Sequence, residues 1–319
     1  MGQIKEFYIE KGINVCSELE HLVKDTDINF ERTRIHKNNC ELDALVFEIN
    51  NKMVRPTLYL DDYLDDIFNE NEGQIARRIL NDAYIAFENI PDIPKELFDV
   101  EYIKQNLFVH LVNYESNKDY LNDVPHQKVH DLAIVPRVKV GEDGSFVVTN
   151  EMQKIIKMTD EEILEVGKRN TISGNQFTLK GMGSVIEDIT GAELSEDIEQ
   201  EMEIPLMVVL AKDNNFGATA LIDEKFINGV GEYLKEDFYI LPSSVHELLI
   251  LPKSKAPEVE YLEEMVKTVN ADMSLVKKED FLSNTVYQFD TLTQKVTMAT
   301  KQLIDVEGIE RTQTRGVRL

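Results

Sequence analysis

The chain has 319 residues, 42% apolar and 29% charged. That length and balance bury an adequate core in one large domain or two small ones, and they exclude a disordered chain, a disulfide-stapled miniprotein and a fibrous repeat. The 59 Asp and Glu against 34 Lys and Arg leave a net charge of −25, which argues against a general binder of nucleic acid or acidic membranes.

The N-terminal residues MGQIKEFYIEKG carry charge throughout and lack an apolar h-region, so no secretory signal is expected. Val15, Leu19, Leu22 and Val23 keep helical spacing and predict an N-terminal helix. Leu42, Leu45, Phe47 and Ile49 precede the polar break Asn50-Asn51-Lys52, and Val54, Leu58 and Leu60 follow it. That reads as strand, tight turn, strand, with Pro56 marking an edge or bulge. Asp61, Asp62, Asp65 and Asp66 repeat at i, i+4 around Tyr63, Leu64 and Ile67, predicting a short helix with an acidic outer face that ends at Gly73. Ile75, Ile79, Leu80, Ala83, Tyr84 and Phe87 stripe a second helix, stopped by Pro91 and Pro94.

Residues 107–112 and 132–140 read as strands, with Gly141-Glu142-Asp143-Gly144 turning the chain into a returning strand over 145–149. A helical pattern runs from Asn150 to about Arg169, and Thr159 with Glu162 resembles a capping box. Residues 170–203 are mixed and acid-rich and read as a connecting excursion. Beyond it come a strand at 205–211, a turn, a returning strand at 218–222, and a helix capped by Asp223. Strands at 238–241 and 248–251 flank a turn at 242–246. A helix through Val259, Leu262, Val266 and Val269 and a hairpin at 286–298 follow, and the basic tail ERTQTRGVRL reads as loose. Strands arrive as hairpins separated by helices, so the expected fold is α+β, with mainly antiparallel sheets and flanking helices. Three regions are expected: 1–150 α+β, 151–204 helical and acid-rich, and 205–319 α+β.

Several stretches resemble one family in one order. They are KNNCELDALVFEI (37–49), RPTLYLDDYLDDI (55–67), LVNYESNKDYLNDVPHQKVHDLAIVPRV (111–138), DFYILPSSVHELLILP (237–252) and EDFLSNTVYQFD (279–290). They are similar to an uncharacterised domain-of-unknown-function family of low-GC Gram-positive gut bacteria and their mobile elements. The resemblance covers roughly 30–300. It implies no reaction and no catalytic residues, because the family carries no assigned activity. This chain departs from the family pattern at Cys40, where a small turn residue is usual, and at His130, where an apolar residue is usual.

The site candidates are few. Ser243, Ser244, His246 and Glu247 lie together at a strand end, where loops often carry function. A serine nucleophile needs a base within reach and an orienting acid, but neighbours in sequence rarely give that geometry, and no Gly-x-Ser-x-Gly elbow is present. The alternative is that a serine caps the turn and His246 bonds locally. His126 and His130, followed by Asp131, would share one face of a helix and could bind zinc. No third ligand is evident, so ordinary hydrogen-bonded histidines are the alternative. The Asp61, Asp62, Asp65, Asp66 face lacks the spacing that wraps one cation and reads as solvated or as a partner-docking face. The glycine pairs Gly181-Met182-Gly183 and Gly229-Val230-Gly231 fit neither dinucleotide nor phosphate-loop patterns, and close packing explains the second pair better.

Cys16 and Cys40 cannot form a disulfide framework or a Cys-rich zinc site, and free thiols in a reducing cytosol are expected. The longest clean apolar run, Leu206–Ala211, is far short of the ~20 residues of a membrane helix. The expectation is therefore a cytoplasmic protein with no cofactor. It binds another protein, with neither membrane nor direct nucleic-acid contact, and is of phage or mobile-element association. Two rivals are a hydrolase-like enzyme using the Ser243/Ser244–His246 turn, and an acidic nucleic-acid mimic acting on a DNA-binding defence or regulatory protein.

Overall fold

The computed structural model describes residues 2–49, 55–64, 70–89, 97, 99–141, 144–174, 177–191, 205–212, 215–242 and 244–299. The fold is α+β with three antiparallel sheets. The chain divides into two units, Met1–Gly174 with Lys278–Phe281, and Asn175–Lys277 with Leu282–Leu319. Among the described residues no helix is long and apolar enough to cross a membrane.

In the first unit, β1 (Ile28–Lys37), β2 (Cys40–Ile49) and β3 (Thr57–Tyr59) form one sheet. Leu45 and Phe47 of β2 join Val15 and Leu19 of α1 (Gly2–Val23) and Ile75, Ile79 and Ala83 of α3 (Glu72–Glu88) in one core. The short helix α2 (Asp61–Leu64) opens the acidic segment. Gly73 does not end a helix. It sits in the first turn of α3, where the Asn71 side chain accepts the Gln74 N–H and the Gln74 side chain accepts the Asn71 N–H. The first hairpin also differs from expectation. Its two-residue loop is Asn38-Asn39, which joins β1 to β2, and the Asn50–Lys52 break lies outside the described residues. Asn39 takes the left-handed φ of 59° that asparagine tolerates.

The loop is held by its own amides. Buried Asn117 accepts the Asn39 N–H at 2.8 Å, and its amide group donates to Asn38 Oδ1, Asn39 Oδ1 and the Asn113 carbonyl at 2.7–3.0 Å. Asn38 and Asn39 in turn donate to the carbonyls of Lys278, Glu279 and Phe281, which holds that segment in the unit. The asparagines of the KNNC and NYESNK stretches are thus a polar clamp whose members satisfy one another. Asn117→Ala is expected to cost roughly 2–3 kcal/mol in a urea melt, because it strands several buried polar groups at once; an unchanged midpoint would show that the clamp is incidental.

The second sheet of this unit centres on β6 (Leu132–Val140), flanked by β4 (Leu107–Asn113) on one side and by β5 (Gln127–Val129) and β7 (Gly144–Val147) on the other. Helix α4 (Val100–Asn106) leads into β4, and the short α5 (Lys118–Leu121) follows it. The predicted 150–169 helix is interrupted where Lys157 turns left-handed at φ 55°, giving α6 (Asn150–Ile156) and α7 (Asp160–Gly174). The capping box at Thr159 and Glu162 opens α7 as expected. β4 is an edge strand, and α7 covers its edge. Thr171 Oγ1 accepts the outward Val109 N–H at 2.9 Å, and the Asn170 amide donates to the Leu107 carbonyl at 2.9 Å. An edge whose main-chain groups are capped cannot template another strand.

The second unit is a six-stranded sheet in the order β13-β12-β10-β11-β9-β8. Its strands are β8 (Thr178–Gly181), β9 (Met207–Leu210), β10 (Phe238–Leu241), β11 (Glu247–Pro252), β12 (Tyr287–Asp290) and β13 (Lys295–Met298). Part of the stretch read as a connecting excursion therefore carries β8 and the helix α8 (Met182–Thr190). Residues 217–222 do not return as a strand but form a 3-10 helix, Gly217–Ile222. A Cβ on Gly217 would lie 2.3 Å from the His246 carbonyl oxygen and 2.9 Å from the Ala211 nitrogen, so the segment packs backbone against backbone.

Paired residues share a face of the sheet and successive residues alternate. Tyr239, Leu241 and Leu251 therefore face one way, into a core with Leu262 and Val266 of α10 (Val259–Ala271). Phe238, Phe289, Met207, Leu179 and Gly181 face the other way, toward α9 (Glu224–Leu234). Asp223 caps α9 as expected, accepting the N–H groups of Lys225 and Phe226. Gly231 lets α9 approach this face, since a Cβ there would lie 2.6 Å from the Phe289 ring.

Candidate binding cleft

Among the described residues, those singled out in the sequence do not gather into one site. Ser244 is 6% exposed, and its hydroxyl accepts the backbone N–H of His246 at 3.0 Å. That is a serine turn, the local bond that competes with any nucleophilic role. The His246 ring stacks on Phe216 with centroids 6.1 Å apart, and Glu247 begins β11 opposite Leu210. Ser243 lies outside the described residues.

His126 and His130 do not share a helix. They bracket the three residues of β5, and the His126 ring meets the Val124 carbonyl through Nδ1 at 2.9 Å. His130 adopts a left-handed φ of 55° in the two-residue loop between β5 and β6, and Asp131 supplies the carbonyl that accepts the Tyr114 N–H. Among the described residues no group of three or more His, Cys, Asp or Glu is gathered so as to hold a metal ion. Asp61 and Asp62 are exposed at the start of α2, and Asp61 also accepts the Asp43 N–H from β2 at 3.2 Å. Asp65 and Asp66 lie outside the described residues, as does the acidic run at 193–203.

A concave feature of the described residues lies elsewhere, on the second unit. A cleft of about 520 Å³ opens between the β8–β9 edge of the sheet and α9, lined by Leu179, Lys180, Gly181, Met207, Lys225, Phe226, Gly229, Val230 and Tyr233. Its size falls in the range of ligand-sized clefts. Phe226 is backed by buried Phe177, ring centroids 5.6 Å apart, so the α9 side of the cleft has an aromatic support. Tyr233 stands at the rim, 69% exposed. Two glycines widen the cleft, because a Cβ on either Gly181 or Gly229 would meet nothing within 4 Å. Gly229 stands in the interior of α9, where glycine costs about 1 kcal/mol against alanine.

Hydrogen-bond parity completes the picture. The Met182 N–H donates to the Leu206 carbonyl at 3.0 Å, and the β8–β9 register continues through Gly181↔Met207 and Leu179↔Val209. In an antiparallel ladder bonded and non-bonded pairs alternate. Residues 178, 180 and 182 therefore bond to β9, whereas the N–H and C=O of Leu179 and Gly181 point off the outer edge of β8, where no described strand pairs. Both residues line the cleft. Among the described residues no strand pairs with this edge and, unlike at β4, no side chain caps it, and it lies beside an apolar groove.

The sequence offered one trace of this site. Gly181 and Gly229 belong to the two glycine pairs of the sequence, but the fold that sets them across one cleft is not written in their spacing. Residues 7–291 match a family of unknown function (DUF5688). No curated protein and no solved structure matches the chain.

Proposed function

We propose that this chain, which belongs to that family of unknown function, is a non-enzymatic protein-binding factor that takes an extended segment of a partner onto the β8 edge. One observation carries the reading: the outward main-chain groups of Leu179 and Gly181 open into the apolar cleft under α9. Strand addition needs that pair of features, a free ladder edge for affinity and a flanking pocket for side chains. Tyr233 and Phe226 are the aromatic residue types that anchor interfaces. The turn at Ser244 favours binding over catalysis, because its hydroxyl is already committed to the backbone.

The test is selection of a random peptide display library on the full chain. The expected outcome is enriched peptides that bind the native chain and lose at least about tenfold in affinity on Gly229→Trp, which projects a large ring into the cleft from a position where a Cβ meets nothing within 4 Å. Enriched peptides that bind both chains equally, or no enrichment on a chain shown to be folded, would overturn the reading.

A further inference from the structure

Resting on that reading, we infer that the segment taken up by the cleft is acidic and alternates apolar with carboxylate side chains. The charge of the lining is the first argument. In a chain with 59 acidic residues against 34 basic ones, the charged residues among the described lining are two lysines, Lys225 on the α9 side and Lys180 at the strand edge with its side chain on the opposite face, and no described carboxylate. Lys225 stands exposed in the first turn of α9 and forms no ion pair among the described residues. Lys180 is paired with Asp188 of α8 at 2.7 Å, but both side chains are exposed, so the pair is weak and exchanges readily.

The second argument is alternation. Leu179 and Gly181 face the α9 side of the sheet and Lys180 faces the other. A strand laid beside β8 would send every second side chain into the apolar cleft. The intervening ones would leave on the face of Lys180, where an opposite charge is the stabilising cross-strand partner. The third argument is exclusion. A basic segment would be attracted by the chain's net charge of −25, but at this edge it would meet one ammonium group on each face of the strand, Lys225 on the α9 side and Lys180 on the other. Selectivity by repulsion of the wrong partner is how charged rims discriminate.

The experiment uses the peptides enriched on the native chain and a variant carrying Lys180→Glu with Lys225→Glu. Both lysines are exposed, so the variant keeps its fold, which circular dichroism checks. The expected result is enrichment of Asp or Glu at alternate positions, about tenfold weaker binding to the double variant, and binding that weakens with added salt. Enriched peptides without acidic bias, still blocked by Gly229→Trp, would overturn this inference and leave the cleft reading standing. Peptides insensitive to Gly229→Trp would overturn both. A dimer of the chain that dissociates on Gly229→Trp would make the occupant a second copy, and would also overturn the inference.

Discussion

Replacing Gly217 by alanine is expected to cost roughly 3 kcal/mol of stability, whereas the same replacement at Gly229 is expected to add about 0.5–1 kcal/mol. The two glycines share a structural unit but not an environment, Gly217 opening a 3-10 helix and Gly229 lying inside α9. At Gly217 the new methyl group would lie 2.3 Å from the His246 carbonyl oxygen and 2.9 Å from the Ala211 nitrogen. Both are backbone atoms and cannot rotate away, so the 3-10 segment must part from the backbone at His246 and Ala211. With them go the Ala218 N–H to Val245 carbonyl bond and the packing of the buried residues Gly217–Leu221. At Gly229 a methyl group meets nothing, and the gain comes from helix propensity and a less flexible unfolded chain. Urea unfolding of the two variants measures both signs. A neutral Gly217→Ala would contradict the close approach of the turn, and a destabilising Gly229→Ala would contradict the open space in the cleft.

Acid is expected to weaken the protein through one buried histidine. His110 of β4 is buried, its Nδ1–H donates to the Val135 carbonyl at 3.2 Å, and its pKa is lowered from 6.5 to about 3. Burial is the main cause, with the Arg137 guanidinium second. The unfolded imidazole takes up a proton near pH 6.5, while the folded one stays neutral until about pH 3. Between those values the unfolded state binds more protons, so stability falls as pH falls, by about 1.4 kcal/mol per unit. Roughly 2–3 kcal/mol should be gone about two units below the unfolded value. The chain's many carboxylates titrate over the same range, so wild type must be compared with His110→Phe. The variant loses the Val135 bond at every pH but lacks the slope. The account expects the stability difference between the two to shift steadily in the variant's favour on acidification. A constant difference from neutral pH down to about pH 4 would show that His110 is not held neutral by its surroundings.

Much of the architecture was legible because periodicity and capping are local. The strands β4, β6, β10 and β11, the helices α3 and α10, the capping box of α7 and the Asp223 cap lie where hydrophobic spacing and turn chemistry put them. β1 carries no clear strand signal because INFERTRIHK has few apolar residues. It is held by its ladder to β2 and by Ile28 and Phe30 on the core, with Arg32 bonding Asp43 at 2.9 and 3.1 Å and Arg34 meeting Glu41 at 2.7 Å across the strands. Such pairs exist only once the register is set. Residues 217–222 looked like a strand because GATALI is apolar, and a short apolar run cannot by itself be told from a buried helical turn. The histidine pair failed as a helical face because its segment is a short strand and a tight loop. The cleft was illegible for a different reason. It is made by the edge of one strand and the flank of one helix far along the chain, and neither carries a motif.

The most direct measurement of the central claim is amide hydrogen exchange at Leu179 and Gly181, with and without a peptide selected on the native chain. In the free chain these two N–H groups face off the sheet edge while those of Lys180 and Met182 bond to β9. The account predicts that binding slows exchange at Leu179 and Gly181 by more than tenfold and leaves the already bonded positions little changed. Saturating binding that leaves Leu179 and Gly181 exchanging at their free rates would contradict strand addition at this edge.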